Sequence, residues 1–181
     1  METRVPFYNI VNIFLPGLVL LGSSVLLFID DAKTLAQEIT NLGSTGLEVL
    51  VTVSLFAIAY EVGYVIFRLG SAVIEPLLKM MFGWAEYSDF IAAGKTSGKA
   101  HDKLEMLSRE YGYARTQITL FIALAVLTCV RKHWWFMGAC VLCAGLFALT
   151  ARGHMRKTQD AVKQYLPASC GESEADNGLT T

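Results

Sequence analysis

The sequence predicts an all-α membrane protein with four transmembrane helices and amphipathic cytoplasmic helices. Apolar residues make up 54% of the 181-residue chain, charged residues make up only 17%, and the mean hydropathy is +0.45. A soluble domain carries about 25% charged residues. Charged residues are also absent from long stretches of the chain, namely residues 5–29, 49–60, 62–67, 116–130 and 133–151. These observations exclude a soluble globule and a disordered chain.

The first apolar stretch, residues 6–29, is the first predicted span. A helix needs about 20 apolar residues to cross the hydrocarbon core of a bilayer, and this stretch reaches that length before Asp30 and Asp31 stop it. It is longer than the apolar core of a signal peptide, which is about 7–15 residues, so we expect a retained helix. The Pro16-Gly17 step inside it indicates either a hinge or a packing notch.

Three further spans are predicted, over residues 47–69, 114–130 and 134–151. Gly70 is expected to close the second span. The last two spans are separated only by residues 131–133, which predicts a tight antiparallel hairpin. Trp134 and Trp135 then lie where the aromatic belt of a membrane protein is expected.

The polar segments between and after the spans predict further helices. Residues 71–84 form an amphipathic pattern that fits either a helix at the lipid headgroups or one packed under the bundle. Residues 94–98 form a flexible break, and residues 100–113 predict a helix that runs on into the third span. A tail helix is expected over residues 152–166. The membrane domain therefore covers residues 1–166, and residues 167–181 are expected to be a disordered tail.

The distribution of Lys and Arg predicts the orientation in the membrane. If the N-terminus, residues 70–113 and the tail share one face, the opposite face keeps only Lys33, Arg131 and Lys132 of the fifteen basic residues. The positive-inside rule then places both termini in the cytoplasm, with the chain as a multi-pass protein of the inner (plasma) membrane. No cysteine pair lies in the predicted outer loops, so a disulfide-linked external module is not expected.

Glu61 is the strongest local signal because it lies within an apolar span. We expect it about 10–12 Å inside the cytoplasmic end of the second span, where a bare carboxylate costs at least about 2.5 kcal/mol. Polar residues of the first three spans could surround it near the inner leaflet. The predicted intramembrane polar cluster is Asn9, Asn12, Glu61, Tyr64, Arg68, Arg115 and Gln117.

Two interpretations of this cluster remain open. In the first, Glu61 pairs with Arg68 or Arg115 and fixes the register of helices or subunits. In the second, the cluster lines a water-filled path or binds an ion or a proton, which is the role that an intramembrane acid most often indicates.

Small residues on two helices predict self-association. Ser54 and Ala57 share a face of the second span with Glu61, and Cys140, Ala144 and Ala148 form a small-residue ridge on the fourth. Such ridges let helices approach closely. We expect a cyclic homo-oligomer, most simply a tetramer, that buries these faces. The Cys140-x-x-Cys143 pair is interpreted as packing, because no His lies near it.

The sequence shows no carrier for catalysis. No Ser-His-Asp set, glycine-rich phosphate cradle or paired carboxylates occur, and the three histidines are scattered. We expect no enzyme activity, no catalytic residue, no cofactor and no metal. The net charge of −1 and the pI near 6.3 give no basic footprint for direct binding of nucleic acid.

In its span pattern the chain resembles the small four-span inner-membrane proteins of bacterial phage-defence systems, such as the membrane subunit of the Kiwa system. The resemblance is carried by Pro16-Gly17, by Tyr60-Glu61-x-Gly63-Tyr64 and by the charged stretch 104–115 before the third span. It implies a protein that senses membrane disturbance and signals to a cytosolic effector.

Two functions follow as expectations. The first is an oligomeric membrane sensor or scaffold that recruits a cytosolic protein. Its surface for that partner, or for anionic lipids of the inner leaflet, is expected to be basic and to consist of Lys95, Lys99, Lys103, Arg109, Arg156 and Lys157. The alternative is a small ion channel or proton-coupled transporter that uses Glu61.

Overall fold

The computed structural model of the chain describes residues 7–28, 37, 45–83 and 87–166. Its helices, in chain order, are α1 (Phe7–Phe28), α2 (Thr45–Leu69), a π-helical turn (Gly70–Ile74), α3 (Glu75–Phe82), α4 (Tyr87–Thr96), α5 (Gly98–Val130) and α6 (Trp134–Tyr165). The part of the chain that is described contains no strand, and four of its helices are long and apolar enough to cross a membrane. The predicted all-α membrane fold is confirmed.

α1 and α2 lie against each other at a pair of glycines. A β-carbon on Gly17 would overlap the carbonyl oxygen of Ala59, and one on Gly63 would overlap the carbonyl oxygen of Ile13. Only the absence of both side chains lets the two backbones approach this closely. Pro16 is fully buried inside the uninterrupted helix α1, so the Pro16-Gly17 step forms part of a packing notch.

α2 ends at Leu69, next to the Gly70 expected to close the second span, but the chain stays helical beyond it. The backbone N–H of Glu75 donates to the carbonyl of Gly70, five residues earlier, and the chain continues as helix to Phe82. Ile74 and Leu78 of this extension are buried in a cluster with Tyr111 and Met155. Of the two alternatives for this segment, the structure therefore has the helix packed against the bundle.

α5 and α6 form the predicted hairpin. Lys132 adopts a positive φ of 59°, and the N–H of His133 donates to the carbonyl of Thr128 over 2.9 Å. This left-handed residue ends α5 and reverses the chain within three residues. α5 is continuous from Gly98 to Val130, so the charged stretch before the third span and the span itself are one helix, as predicted.

The lower parts of α5 and α6 pack with α4 around a core of their own. Ala93, Leu104, Leu107, Ala161 and Val162 are its buried residues. We call the region formed by α3, α4 and residues 98–113 and 152–165 the helical base. α4 was not predicted from the sequence. It ends just before Ser97, whose Oγ accepts from the N–H of Ala100 over 3.2 Å and so begins α5.

Some expectations fall on residues outside those described. They are the N-terminal residues before Phe7, nearly all of the outer loop 30–44, Trp84 in the amphipathic stretch, and the tail from 167 to 181.

Candidate functional site

One face of α2 carries several polar side chains, and no other described part of the chain covers this face. Ser54, Ala57, Glu61, Tyr64 and Arg68 all lie on it at helical spacing, and all are exposed. The opposite side of the same helix is buried, at Ala59, Gly63 and Ile66, against α1 and α5. We call the exposed set the polar stripe.

Tyr64 and Arg68 are joined within the polar stripe. The Nε and Nη2 atoms of Arg68 donate to the Tyr64 hydroxyl oxygen over 2.8 and 2.6 Å, and the guanidinium carbon lies 5.0 Å from the centre of the ring. Residues four apart in a helix face each other, and helical side chains lean toward the N-terminal end. The arginine therefore reaches back along α2 toward Tyr64.

Glu61 is not in a cluster within one chain. Its side chain is exposed, and no described residue forms a hydrogen bond or an ion pair with its carboxylate. Within one chain Glu61 pairs with neither Arg68 nor Arg115, because Arg68 binds Tyr64 and Arg115 binds Glu75. The interpretation in which Glu61 pairs between subunits stays a prediction.

Glu61 lies between other charged residues on one continuous helix. It is 13 residues, or about 20 Å, from Glu48 and seven residues, or about 10 Å, from Arg68. A bare carboxylate at such a position within hydrocarbon costs at least about 2.5 kcal/mol.

A second polar group lies at the junction of α2, α3 and α5. The Arg115 guanidinium Nη1 donates to Oε2 of Glu75, and the Nζ of Lys79 lies 2.7 Å from Oε1 of the same carboxylate. The side chain of Arg115 is only 9% exposed. A charge this far from water requires a partner, and Glu75 supplies it from 40 residues away in sequence.

The local shape of the long helix makes room for Arg115. A β-carbon on Gly70 would lie 3.5 Å from Cγ of Arg115 and 2.9 Å from Oγ1 of Thr119, so only glycine fits this position without displacement. The guanidinium carbon lies 5.3 Å from the ring centre of Phe67 and 6.0 Å from that of Tyr111. Aromatic faces and one carboxylate thus surround the buried cation.

The remaining members of the predicted cluster are separated. Asn12 is buried at the level of Arg115. Asn12 lies 16 residues before Phe28 on α1, Arg115 lies 16 residues before Arg131 at the end of α5, and Phe28 and Arg131 contact each other. No described residue bonds Oδ1 of Asn12. Asn9 belongs to α1, but its side chain is outside what the structure describes.

Gln117 is buried on another side of α5. It lies midway between Tyr113 and Phe121, which both contact Phe147 of α6 at ring-centre distances of 6.3 and 5.7 Å. Of the predicted cluster, Glu61, Tyr64 and Arg68 share the polar stripe, and Asn12, Arg115 and Gln117 are buried in other places. Only Tyr64 and Arg68 are shown bonded to each other. The sequence analysis missed Glu75. The sequence could have indicated Glu75 as a partner for a nearby base, because it is the only acid between Glu61 and Glu86.

The small residues predicted for oligomer packing have different environments on the two helices. Ser54 and Ala57 are exposed, and the Ser54 hydroxyl donates to the carbonyl of Leu50 over 2.8 Å. Cys140 and Ala148 instead pack against buried clusters of the same chain, and Ala144 is half-buried between them. The α6 ridge is thus used within the fold. Of the two small-residue faces predicted to pack in an oligomer, that of α2 is the exposed one.

The predicted basic residues all lie on the surface of the helical base. Lys95, Lys99, Lys103, Arg109, Arg156 and Lys157 are exposed. Arg109 forms the expected pair with Glu105, and Lys103 lies 5.6 Å from the ring centre of Tyr165. Among the described residues, no three His, Cys, Asp or Glu side chains come together as a metal site requires.

These features define a helical protein with four helices long and apolar enough to cross a membrane, an exposed acid on one of these helices and a packed base with exposed basic residues. Comparison with protein-family models, with curated proteins and with solved structures found no match to this chain.

Proposed function

We propose that this chain is a membrane-embedded scaffold or sensor that assembles with copies of itself and recruits a soluble cytosolic protein to its helical base. The packed base is the observation that carries this proposal. A connector between two spans is commonly only a few residues long. Here the chain between the second and third spans forms α3, α4 and the first half of a long helix, and these share a core with α6.

The surface of the base supports binding rather than catalysis. Its core residues are covered, while Lys95, Lys99 and Lys157 extend from different helices into the surroundings. Such a surface suits an acidic protein or the anionic lipids of the inner leaflet, at about 1 kcal/mol for each basic residue near a lipid surface. Basic charge of this kind raises the rate of association with an acidic partner and makes the affinity depend on salt.

Self-assembly is supported by the position of Glu61. A carboxylate exposed on one chain within an apolar helix costs less when another protein surface covers it. A homo-oligomer, for which we keep the cyclic tetramer as the working arrangement, would bring several copies of the polar stripe together.

The test of recruitment is co-purification from the cells that make the protein. A Lys99→Glu, Lys157→Glu double variant should lose the soluble partner, and Lys132→Glu, at the opposite end of the molecule, should keep it. Retention of the same partner by the double variant, or the absence of any partner on the wild-type protein in mild detergent, would contradict recruitment through the base.

The resemblance to phage-defence membrane proteins supports a specific setting for this scaffold. In that setting the partner is an effector encoded beside it, and the protein reports a disturbance of the membrane. Cells that carry both genes should resist phage, and the Lys99→Glu, Lys157→Glu variant should abolish the resistance while Lys132→Glu leaves it intact.

We also propose, as a second candidate, conduction of ions or protons between copies. The observation in its favour is the exposed Glu61 carboxylate within the apolar helix α2, which an oligomer could gather around an axis. In liposomes, Glu61→Gln should then abolish flux while Glu48→Gln, at the other end of α2, leaves it unchanged. Vesicles containing the assembled wild-type protein that show no flux would remove this candidate.

A further inference from the structure

The polar stripe contains hydrogen-bonding groups whose capacity is not used within one chain. The Tyr64 hydroxyl accepts twice from Arg68, which occupies both acceptor positions of its oxygen. Its own proton is still available for donation. Three residues away, the Glu61 carboxylate can accept about four hydrogen bonds and receives none from any described residue. A donor and an acceptor thus lie on the same exposed face.

We propose that these groups meet between copies: at each contact between neighbouring α2 helices, the Tyr64 hydroxyl of one copy donates to the Glu61 carboxylate of the next. Arg68 holds the hydroxyl oxygen and places its positive charge close to that carboxylate. This inference rests on the self-assembly proposed above and names the residues that carry it.

The depth of the two residues fits this pairing. Copies that share one orientation in a membrane place equal residues at equal depth, so Tyr64 of one copy lies about 4.5 Å from the level of Glu61 of the other. Helical side chains lean toward the N-terminal end. A Tyr64 side chain that follows this tilt brings its hydroxyl nearer to the level of Glu61.

The part of the stripe on the N-terminal side of Glu61 allows a close approach. Ser54 and Ala57 are exposed there, and short side chains at such positions let two helices pack closely.

A second copy is the occupant that the charges favour. One acid and one base lie on the same stripe, separated by seven residues or about 10 Å, so the face is neutral overall and complementary to itself. A second copy in the same orientation places its own Tyr64 hydroxyl and Glu61 carboxylate at the depths that the pairing needs. A lipid chain offers the carboxylate no donor, and a different membrane protein would need its own donor at that depth.

The first experiment removes each partner separately. Tyr64→Phe deletes only the hydroxyl, and Glu61→Met deletes the carboxylate at similar length. Tyr60→Phe and Glu48→Met are the matched controls, since Tyr60 is exposed off the stripe and Glu48 lies near the outer end of α2. The mass of the complex in lipid nanodiscs, measured over a dilution series, reports assembly.

Both stripe variants should dissociate at about tenfold higher protein concentration than the wild type, which is the effect of losing a hydrogen bond to a charged group. The controls should dissociate as the wild type does. Glu61→Met makes the exposed surface more apolar, so a loss of assembly by this variant does not come from a failure to insert in the membrane.

The second experiment mixes chains to show that the bond joins two copies. A Glu61→Met chain and a Tyr64→Phe chain, with different tags, each lack the bond in their own homo-oligomers. In the mixed complex the wild-type Tyr64 of the first chain meets the wild-type Glu61 of the second, so half of the contacts are restored. The mixed complex should therefore form in preference to either homo-oligomer.

The outcomes separate this inference from the function on which it rests. Wild-type protein that is monomeric in nanodiscs overturns both. Assembly of the wild type with unchanged assembly of Tyr64→Phe or Glu61→Met overturns only the proposed bond. Weakened single variants with no preference for the mixed complex show that the bond lies within one chain, which also overturns the inference.

Discussion

Arg115 and Glu75 form an ion pair that joins α5 to the start of α3. The arginine comes from the helix that continues into the third span, and the glutamate follows directly after the π-helical turn below the second. Their contact fixes the height of α5 relative to the long helix at the level where the membrane-spanning part becomes the helical base.

We expect Glu75→Gln to destabilise the protein by about 2 kcal/mol or more, because it leaves the buried Arg115 guanidinium without its counter-charge. Unfolding in mild detergent, followed by circular dichroism, measures this loss. Glu105→Gln is the matched control, since it removes the acid of the exposed pair with Arg109 and should cost at most about 1 kcal/mol. Equal effects of the two variants would show that the Arg115 pair contributes no more than a surface pair.

Gly63→Ala should separate α1 from α2, because the added methyl group overlaps the carbonyl oxygen of Ile13. Forced overpacking of this kind costs about 1–3 kcal/mol. Gly138→Ala and Gly145→Ala place the same methyl group in open space on α6 and should be neutral or stabilising by about 0.5–1 kcal/mol. Thermal unfolding in detergent compares them, and a Gly63→Ala protein as stable as these controls would refute the close contact.

Ser97→Ala should weaken the start of α5 by about 1 kcal/mol, because the N–H of Ala100 loses its acceptor. Faster amide hydrogen exchange at Ala100 and its neighbours is the expected readout. Ser108→Ala, an exposed change in the middle of the same helix, should leave exchange at Ala100 unchanged, since alanine is the better helix former. Unaltered exchange in Ser97→Ala would mean that the cap does not hold this end.

The orientation predicted from the basic residues can be tested by cysteine labelling. In a chain whose four native cysteines are replaced, Lys132→Cys should react with a membrane-impermeant thiol reagent in intact cells. Lys99→Cys should react only after the membrane is opened. Both positions are exposed in the structure, so a difference in labelling reports the side of the membrane. The reverse pattern would place the helical base outside.

The long apolar helices could be predicted from the sequence because their signal is local. Four apolar stretches of sufficient length, with few charges in them, and a three-residue turn were enough to predict the spans and the α5–α6 hairpin. The pair of Arg109 with Glu105 follows from four-residue spacing in the same way. Such features depend on neighbours within one or two helical turns.

The parts that could not be predicted depend on how distant helices align. Arg115 was predicted to lie in one cluster with Glu61. It pairs instead with Glu75, which lies beyond Gly70 on the helical continuation of α2. The sequence did not predict α4. Its residues Phe90 and Ala93 pack in a cluster with residues of α5 and α6, which are distant in sequence. The contact of Gly17 with Gly63 likewise depends on the register of two antiparallel helices.

The π-helical turn at Gly70–Ile74 has a consequence for any change in chain length. Each residue added to or removed from an α-helix rotates everything beyond it by about 100°. A π-helical turn holds one more residue than an α-helical turn, so a single deletion within it would restore an α-helical turn and leave Glu75 close to its present direction. A single deletion in α2, before this turn, would instead swing Glu75 away from Arg115 and carry Leu78 out of its contacts. The direction of α3 around the helix axis is thus fixed relative to α2. A chimera that joins either helix to a foreign one would have to keep this rotational phase.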